Sequence, residues 1–191
     1  IDIFGNNFTN PSTTIGRQNN LVYDSSNNLY MVGYTDSGSN TTGIVAKYNV
    51  SGAIQWQRTL GASSPNSTNF FGIDLDNSNN LYISGYTSSD GTTNGTDVQI
   101  AKYDTNGNLR FAKGMNSGPG DGGHRVEFDN ANNVYIAGWM NGTATFGTIS
   151  KTAFSSPRAD CFLAKYTNDL STCLWALNFG GTGATANNIV A

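Results

Sequence analysis

Charge is what this chain has least of. Only 12% of its 191 residues are Asp, Glu, Lys or Arg, about half the share in an ordinary globular domain. Ten basic and thirteen acidic residues leave a net charge of −3, so no basic face is available to hold nucleic acid phosphates. No apolar run approaches the ~20 residues that a helix needs to span a bilayer, and no membrane span is expected. The two cysteines, Cys161 and Cys173, are too few for a disulfide framework. The single histidine, His124, cannot assemble a zinc site without further soft ligands. No Gly-x-Ser-x-Gly element marks a hydrolase nucleophile. The composition therefore points to no metal, no cofactor and no enzyme. Asn, Ser, Thr and 23 glycines fill the space instead, and such a polar, uncharged surface suits an extracellular setting. The chain starts at Ile1 with no signal peptide, as expected if a leader was removed or if this is a piece of something longer.

One phrase is written three times. Residues 24–34 read DSSNNLYMVGY, residues 76–86 read DNSNNLYISGY and residues 129–139 read DNANNVYIAGW. The tyrosines at 30, 82 and 135 set a period of 52 and then 53. A period of that length, built from strands, is the mark of a β-propeller. The fold class expected is all-β, with four-stranded antiparallel blades and about three complete blades in this chain.

Each unit reads as four strands. The first is short and ends at Asp24, Asp76 or Asp129; the predicted spans are residues 21–24, 72–76 and 125–129. Asp followed by Asn is turn chemistry, because these side chains bond nearby backbone and tolerate positive φ. The second strands span residues 29–35, 81–87 and 134–140, rich in β-branched and aromatic residues. The third strands share Ala-Lys-Tyr at 46–48, 101–103 and 164–166. A tight turn follows, with Ser51-Gly52 and Asn106-Gly107 as two-residue hairpin signals, while residues 168–172 make a longer one. The fourth strands cover residues 54–61, 109–114 and 174–180. Gly33, Gly85 and Gly138 hold one place in the second strand, where they are expected to let a neighbouring blade come close, together with the small Ala46, Ala101 and Ala164. If Lys165 faces Trp175, Cys161 lies near Phe179 and Cys173 near Thr167. That offset exceeds the ~7 Å limit for a disulfide, so two buried thiols are expected.

The pattern Asp-x-x-Asn-Asn-Leu-Tyr-x-x-Gly-Tyr-Thr, then Ala-Lys-Tyr, then Trp and a closing Gly resembles the bacterial SBBP-type β-propeller repeat. Phe146-Gly147-Thr148-Ile149 and Asp160-Cys161-Phe162-Leu163-Ala164-Lys165-Tyr166 carry the resemblance most fully, and it covers residues 21–181. Asn28, Asn80 and Asn133 follow another Asn where that family usually has Gly. The resemblance implies secreted or cell-surface proteins, mostly bacterial and sometimes phage structural proteins. It implies no shared catalytic motif.

Residues 1–5 look like the end of a fourth strand and residues 187–191 like the start of a first. The expected organisation is the end of a preceding blade and a connector at 1–20, blades at 21–70, 71–123 and 124–186, and the first strand of a following blade at 187–191. Three units are fewer than the 4–8 blades of a closed ring. The remaining blades are expected from the same polypeptide or from adjacent subunits. Half-units at both ends favour a longer polypeptide over a neat dimer.

The connections fall into two classes. Those after the aspartates and between third and fourth strands are short and alike. Those at the opposite end, residues 36–43, 62–70, 88–96, 115–123, 141–159 and 181–188, are long and varied. Function tends to sit on variable loops carried by a rigid scaffold. The third unit also carries extra length, since Lys102 to Lys165 is 63 residues where Lys47 to Lys102 is 55. Trp139 stands at the root of this insertion, either to stack on a sugar or to fill space beside it. Asp121, His124 and Arg158 are the remaining ligand-binding candidates. For His124 a plain loop role outweighs a catalytic one, because no nucleophile is in evident reach. Residues 74–80 resemble a calcium loop only superficially, since Gly85 occupies the position of the acidic twelfth residue. Asn-x-Ser/Thr occurs at Asn7, Asn40, Asn49, Asn66, Asn94 and Asn141, which means glycosylation only in a host equipped for it.

The function expected is a non-enzymatic propeller segment of a larger secreted or cell-surface protein, structural or adhesive, that presents its variable loops to carbohydrate or protein. Two alternatives stand beside it. A virion component, such as a tail fibre or capsid-associated protein, would appear at fixed stoichiometry in purified particles. A propeller hydrolase or lyase, with its site in blades beyond these residues, would lose turnover on His124→Ala.

Overall fold

The computed structural model describes residues 20–36, 41–61, 67–88, 95–115, 120–154 and 159–181. Among them lie three four-stranded antiparallel sheets and one short hairpin, with no helix. Blade 1 comprises β1 (Leu21–Tyr23), β2 (Leu29–Asp36), β3 (Thr41–Tyr48) and β4 (Ile54–Leu60). Blade 2 comprises β5 (Thr68–Leu75), β6 (Leu81–Thr87), β7 (Asp97–Tyr103) and β8 (Leu109–Met115). Blade 3 comprises β9 (Gly122–Phe128), β10 (Val134–Met140), β13 (Asp160–Tyr166) and β14 (Cys173–Phe179). The hairpin β11 (Thr143–Phe146) and β12 (Ile149–Thr152) is inserted between β10 and β13. Within each blade the strands pair in chain order, so each sheet is an up-and-down meander.

The tight turns are one device used repeatedly. Asp24 Oδ1 accepts from the N–H groups of Ser26 and Asn28, both at 2.9 Å. Asp76, Asp104 and Asp129 do the same for the residues two and four ahead. The fourth turn residue takes positive φ, as at Asn27, Asn79, Asn132, Gly52 and Gly107. Ser51-Gly52 and Asn106-Gly107 therefore differ from the two-residue hairpin expected. Only the glycine has positive φ; Gly52 and Gly107 donate their N–H to Asn49 O and Asp104 O, and Asn49 and Asp104 donate theirs to Ala53 O and Asn108 O, which encloses three residues. This is the three-residue hairpin with a glycine bulge.

Two hydrophobic cores lie between blades. Tyr30, Val32 and Val45 of blade 1 meet Phe70, Ile73, Leu81, Ile83 and Ala101 of blade 2. Tyr82, Val98, Ile100 and Met115 on the far side of blade 2 meet Val126, Val134, Ile136, Met140, Phe162 and Ala164 of blade 3. Both faces of blade 2 are thus apolar, as the doubly apolar strands required. Polar pins add to this at the tight-turn end. Lys47 Nζ and Trp56 Nε1 donate to Thr105 O at 3.4 and 3.1 Å. One blade further on, Lys102 Nζ donates to Asn168 Oδ1 at 3.3 Å and Tyr82 Oη to Asn168 O at 2.7 Å. Lys47, Lys102 and Lys165 each lie over the tyrosine of their own blade, Tyr30, Tyr82 and Tyr135, at 5.0, 4.6 and 4.9 Å.

Two of the three first strands start earlier than the sequence suggested, while β1 ends one residue short of Asp24. β5 begins at Thr68 and β9 at Gly122, so parts of two expected loops are ladder. Each of these strands crosses a bulge: Phe70 pairs with Gly85 and Gly72 with Ser84, which leaves Phe71 over. In blade 3, Gly123 pairs with Gly138 and Arg125 with Ala137, which leaves His124 over. The bulges also revise the role of the strand glycines. A Cβ at Gly85 would collide with the Asn69 carbonyl of its own sheet, and one at Gly138 with the Gly122 carbonyl. They make room for the bulge rather than for the next blade. The close approach between blades falls on Gly72 instead, where a Cβ would lie 2.8 Å from His124 O.

The two cysteines sit as the register predicted. Cys161 pairs with Phe179, while Cys173 pairs with Tyr166, next to Thr167. Both are free thiols, Cys173 buried and Cys161 half-buried. Among the described residues no helix is long and apolar enough to cross a membrane.

Candidate functional site

Among the described residues the bulges build a distinctive surface feature. A bulge re-aims its extra side chain, here Phe71 on β5 and His124 on β9, both first strands. Their ring centroids are 5.4 Å apart. Phe71 also meets Tyr86 at 5.4 Å, and His124 meets Trp139 edge-on at 4.5 Å. Tyr86 and Trp139 close the cycle at 6.1 Å, again edge-on. All four rings are half-buried, and they join blades 2 and 3 at the end where the long connections emerge. Trp139 reaches this position by lying across Gly122, where any Cβ would strike its ring. Edge-on aromatic contacts contribute about 0.5–1.5 kcal/mol each beyond simple burial.

Electrostatically the quartet is neutral. Burial pushes the His124 imidazole below its ordinary value, so the ring is uncharged at neutral pH. Burial raises the Tyr86 phenol, whose oxygen accepts from Asn69 Nδ2 at 2.8 Å. What remains is a polarizable, uncharged ring cluster able to take the C–H face of a sugar or an apolar side chain.

No family model matches this chain, and no curated protein matches it. The site is accordingly read from its own geometry. Of the residues singled out in the sequence, Trp139 and His124 come into direct contact. Asp121 is fully buried. Its Oδ1 accepts from the Asn141 N–H, its N–H donates to Thr96 O at 2.7 Å, and its carbonyl accepts from Thr96 Oγ1 at 2.8 Å. It ties β9 to blade 2 and to the root of the insertion, with its carboxylate turned into the protein. Arg158 lies outside the described residues. Phe71 and Tyr86 were missed, although the repeat carried the signal: each lies 53 residues before its partner, Phe71 before His124 and Tyr86 before Trp139.

Among the described residues no cluster of three or more His, Cys, Asp or Glu gathers as a metal site. The oxygens of Asp76, in the segment resembling a calcium loop, are taken by Ser78 N, Asn80 N, Asn80 Nδ2 and Tyr82 Oη. Asp74 is different. Burial, with the nearby Glu127 carboxylate adding to it, lifts its carboxyl to about 6, against the opposing pull of the Leu75 N–H and Arg125.

A pH prediction follows from these shifts. A raised acid favours folding while it is protonated. The Asp74 contribution is therefore full below about 4 and lost as pH rises through about 6. Asp24, Asp76 and Asp104 have the opposite sign. Burial opposes their shift, but hydrogen bonds from turn groups hold them low, Asp104 to about 2. Their contribution is present above the ordinary carboxylate value and lost as pH falls through the depressed one. His124, also depressed, favours the fold above its ordinary value. Asp74→Asn isolates one effect: it should stabilise the chain by on the order of 1 kcal/mol at pH 7, after screening at a half-exposed position, and by nothing near pH 4. Urea midpoints of both proteins between these pH values test it, and a pH-independent difference would refute it.

Proposed function

We propose that the chain is a non-enzymatic β-propeller segment of a larger secreted or cell-surface protein, built from the SBBP-type repeat and serving a structural or adhesive role. The observation that carries this reading is the division between the two ends. Among the described residues the tight Asp and Asn turns lie at one end, where Thr105 and Asn168 accept hydrogen bonds from the preceding blade. The strand ends from which the long connections leave, with the half-buried aromatic quartet beside them, lie at the other, which is how a scaffold presents a binding face.

The outer face of blade 3 supports further blades, from the same polypeptide or from adjacent subunits. Lys165, Trp175 and Phe179 occupy the places of Lys47, Trp56 and Leu60 in blade 1 by strand register. In blade 1 the lysine and tryptophan are pinned to the next blade, and Trp56 and Leu60 pack on the shared core. In blade 3, Phe179 is 52% exposed, and Lys165 turns back to Asp129 at 2.9 Å. The face has the chemistry of one made to receive a blade of the same kind.

The adhesive reading predicts that a neutral polysaccharide cast into a native gel will retard the protein. Trp139→Ala, checked for retained fold by circular dichroism, should weaken this about tenfold, or ~1.4 kcal/mol. Retardation undiminished in Trp139→Ala would remove the quartet from the binding face.

A further inference from the structure

The two blade junctions share one frame but are finished differently at the loop end. Between blades 1 and 2 a cleft of about 280 Å3 opens. Among the described residues its lining includes Leu60 at the end of β4, and Thr68, Thr87, Gln99, Lys113 and Gly114 of blade 2. A Cβ built on Gly114 meets nothing within 4 Å, so the space beside it is open.

The corresponding place between blades 2 and 3 is solid. By strand register Met115 stands for Leu60, Met140 for Thr87 and Phe162 for Gln99. These three are 2%, 0% and 0% exposed. Phe146 from the inserted hairpin is also fully buried, with its ring 4.9 Å from that of Phe162. One junction is thus closed by two methionines and two phenylalanines. The other keeps hydroxyls and a carboxamide where that apolar plug would be.

Those polar groups retain unused capacity. Thr68 and Thr87 are 2% and 5% exposed, and their hydroxyls share one hydrogen bond at 3.1 Å. Two hydroxyls carry two protons, so one proton and several lone pairs remain for a third group. Gln99, 9% exposed, donates from Nε2 to Ile100 O at 3.1 Å, which leaves its carboxamide oxygen as an acceptor. Leu60 offers an apolar surface across the cleft, and exposed Lys113 stands on the rim. An apolar wall facing neutral donors and acceptors matches the two faces of a sugar ring. The volume of about 280 Å3 falls just below the range of ligand pockets, about 300–1,000 Å3, which suits one ring rather than a chain.

We propose that the cleft between blades 1 and 2 binds a single neutral pyranose. Its C–H face lies on Leu60, and its hydroxyls bond to the Thr68–Thr87 pair and to Gln99. The proposal rests on the carbohydrate reading of the loop face, but it uses residues separate from the aromatic quartet.

The test is calorimetric titration of the whole chain with the methyl glycosides of glucose, galactose, mannose and N-acetylglucosamine. At least one should bind saturably. Thr87→Met and Gln99→Phe place in the cleft the residues of the filled junction, and each should weaken binding at least about tenfold. Their urea midpoints should match or exceed that of the parent. Thr87→Val, nearly the same in shape, removes only the hydroxyl and should also weaken binding, which covers the case in which a larger side chain disturbs the fold. Trp139→Ala should bind as the parent does. Absence of saturable binding to all four glycosides overturns the cleft site, as does binding unaffected by Thr87→Met, Gln99→Phe and Thr87→Val. Binding lost only in Trp139→Ala also overturns it and moves the sugar to the quartet. Polysaccharide retardation that persists while the cleft fails leaves the adhesive reading standing.

Discussion

Replacing Gly138 by alanine destabilises the chain by about 3 kcal/mol, at the upper end of ordinary overpacking. The reason is space and not backbone conformation, since Gly138 is absent from the glycines with positive φ. Its added Cβ would strike the Gly122 carbonyl and lie 2.8 Å from the Phe162 ring. The carbonyl belongs to the bulged ladder of β9 and β10 and cannot swing away without breaking it. Phe162 is wedged against Phe146. Gly85→Ala should behave alike, with its Cβ against Asn69 O and 2.9 Å from Phe70 Cα. Gly114→Ala is the control, because its Cβ meets nothing, and it should shift stability by no more than ~0.5 kcal/mol. Urea unfolding with an unchanged m-value measures all three. Equal midpoints for Gly138→Ala and Gly114→Ala would mean that the bulge is not built as described.

Asp76→Ala should cost about 3–4 kcal/mol, comparable to breaking a buried ion pair. The side chain is 4% exposed. Its loss strands the N–H groups of Ser78 and Asn80, both now held at 2.9 Å. It also withdraws an acceptor from Tyr82 Oη at 3.3 Å and the counter-charge of Lys102 at 3.9 Å. Lys102 and Tyr82 pin blade 2 to Asn168 of blade 3, so the effect spreads from the turn to the junction. Asp76→Asn should recover most of the loss, leaving about 1 kcal/mol. Blade 1 already shows that an amide oxygen suffices for such a turn: Asn49 Oδ1 accepts from the N–H groups of Ser51 and Ala53 at 3.1 and 2.9 Å. If Asp76→Asn falls as far as Asp76→Ala in urea midpoint, the charge on Lys102 and not the turn dominates.

The elements most legible in the sequence were those with local causes. The second strands were read from β-branched and aromatic runs, and β6 and β10 have the expected bounds. The Asp-x-x-Asn-Asn turns were read from side chains that bond backbone two and four residues away, a range that never leaves the hairpin. The alignment of Lys165 with Trp175, and with it the separation of the cysteines, followed from counting along one hairpin.

Misread features depended on another sheet. β5 and β9 run further than predicted because a bulge carries them past Phe71 and His124, and a single strand contains no sign of a residue that its partner will skip. The strand glycines were recognised as constrained but given the wrong neighbour, since the colliding carbonyl lies in their own sheet. The insertion was flagged by its length alone. Only packing turned it into a hairpin whose Phe146 closes the blade 2–3 junction.

By itself the sequence determined the period, the four-strand unit and the turn chemistry, all of which depend on residue type and short-range spacing. The tertiary structure decided which side chains meet. Phe71 reaches His124 and Tyr86 reaches Trp139 because neighbouring blades bring residues 53 apart in the chain into ring contact. The same stacking closes one junction with Met115, Met140 and Phe162 and leaves the other open beside Thr87 and Gln99. These differences are small in sequence and large in space, because a sheet face acquires its meaning only from the surface packed against it.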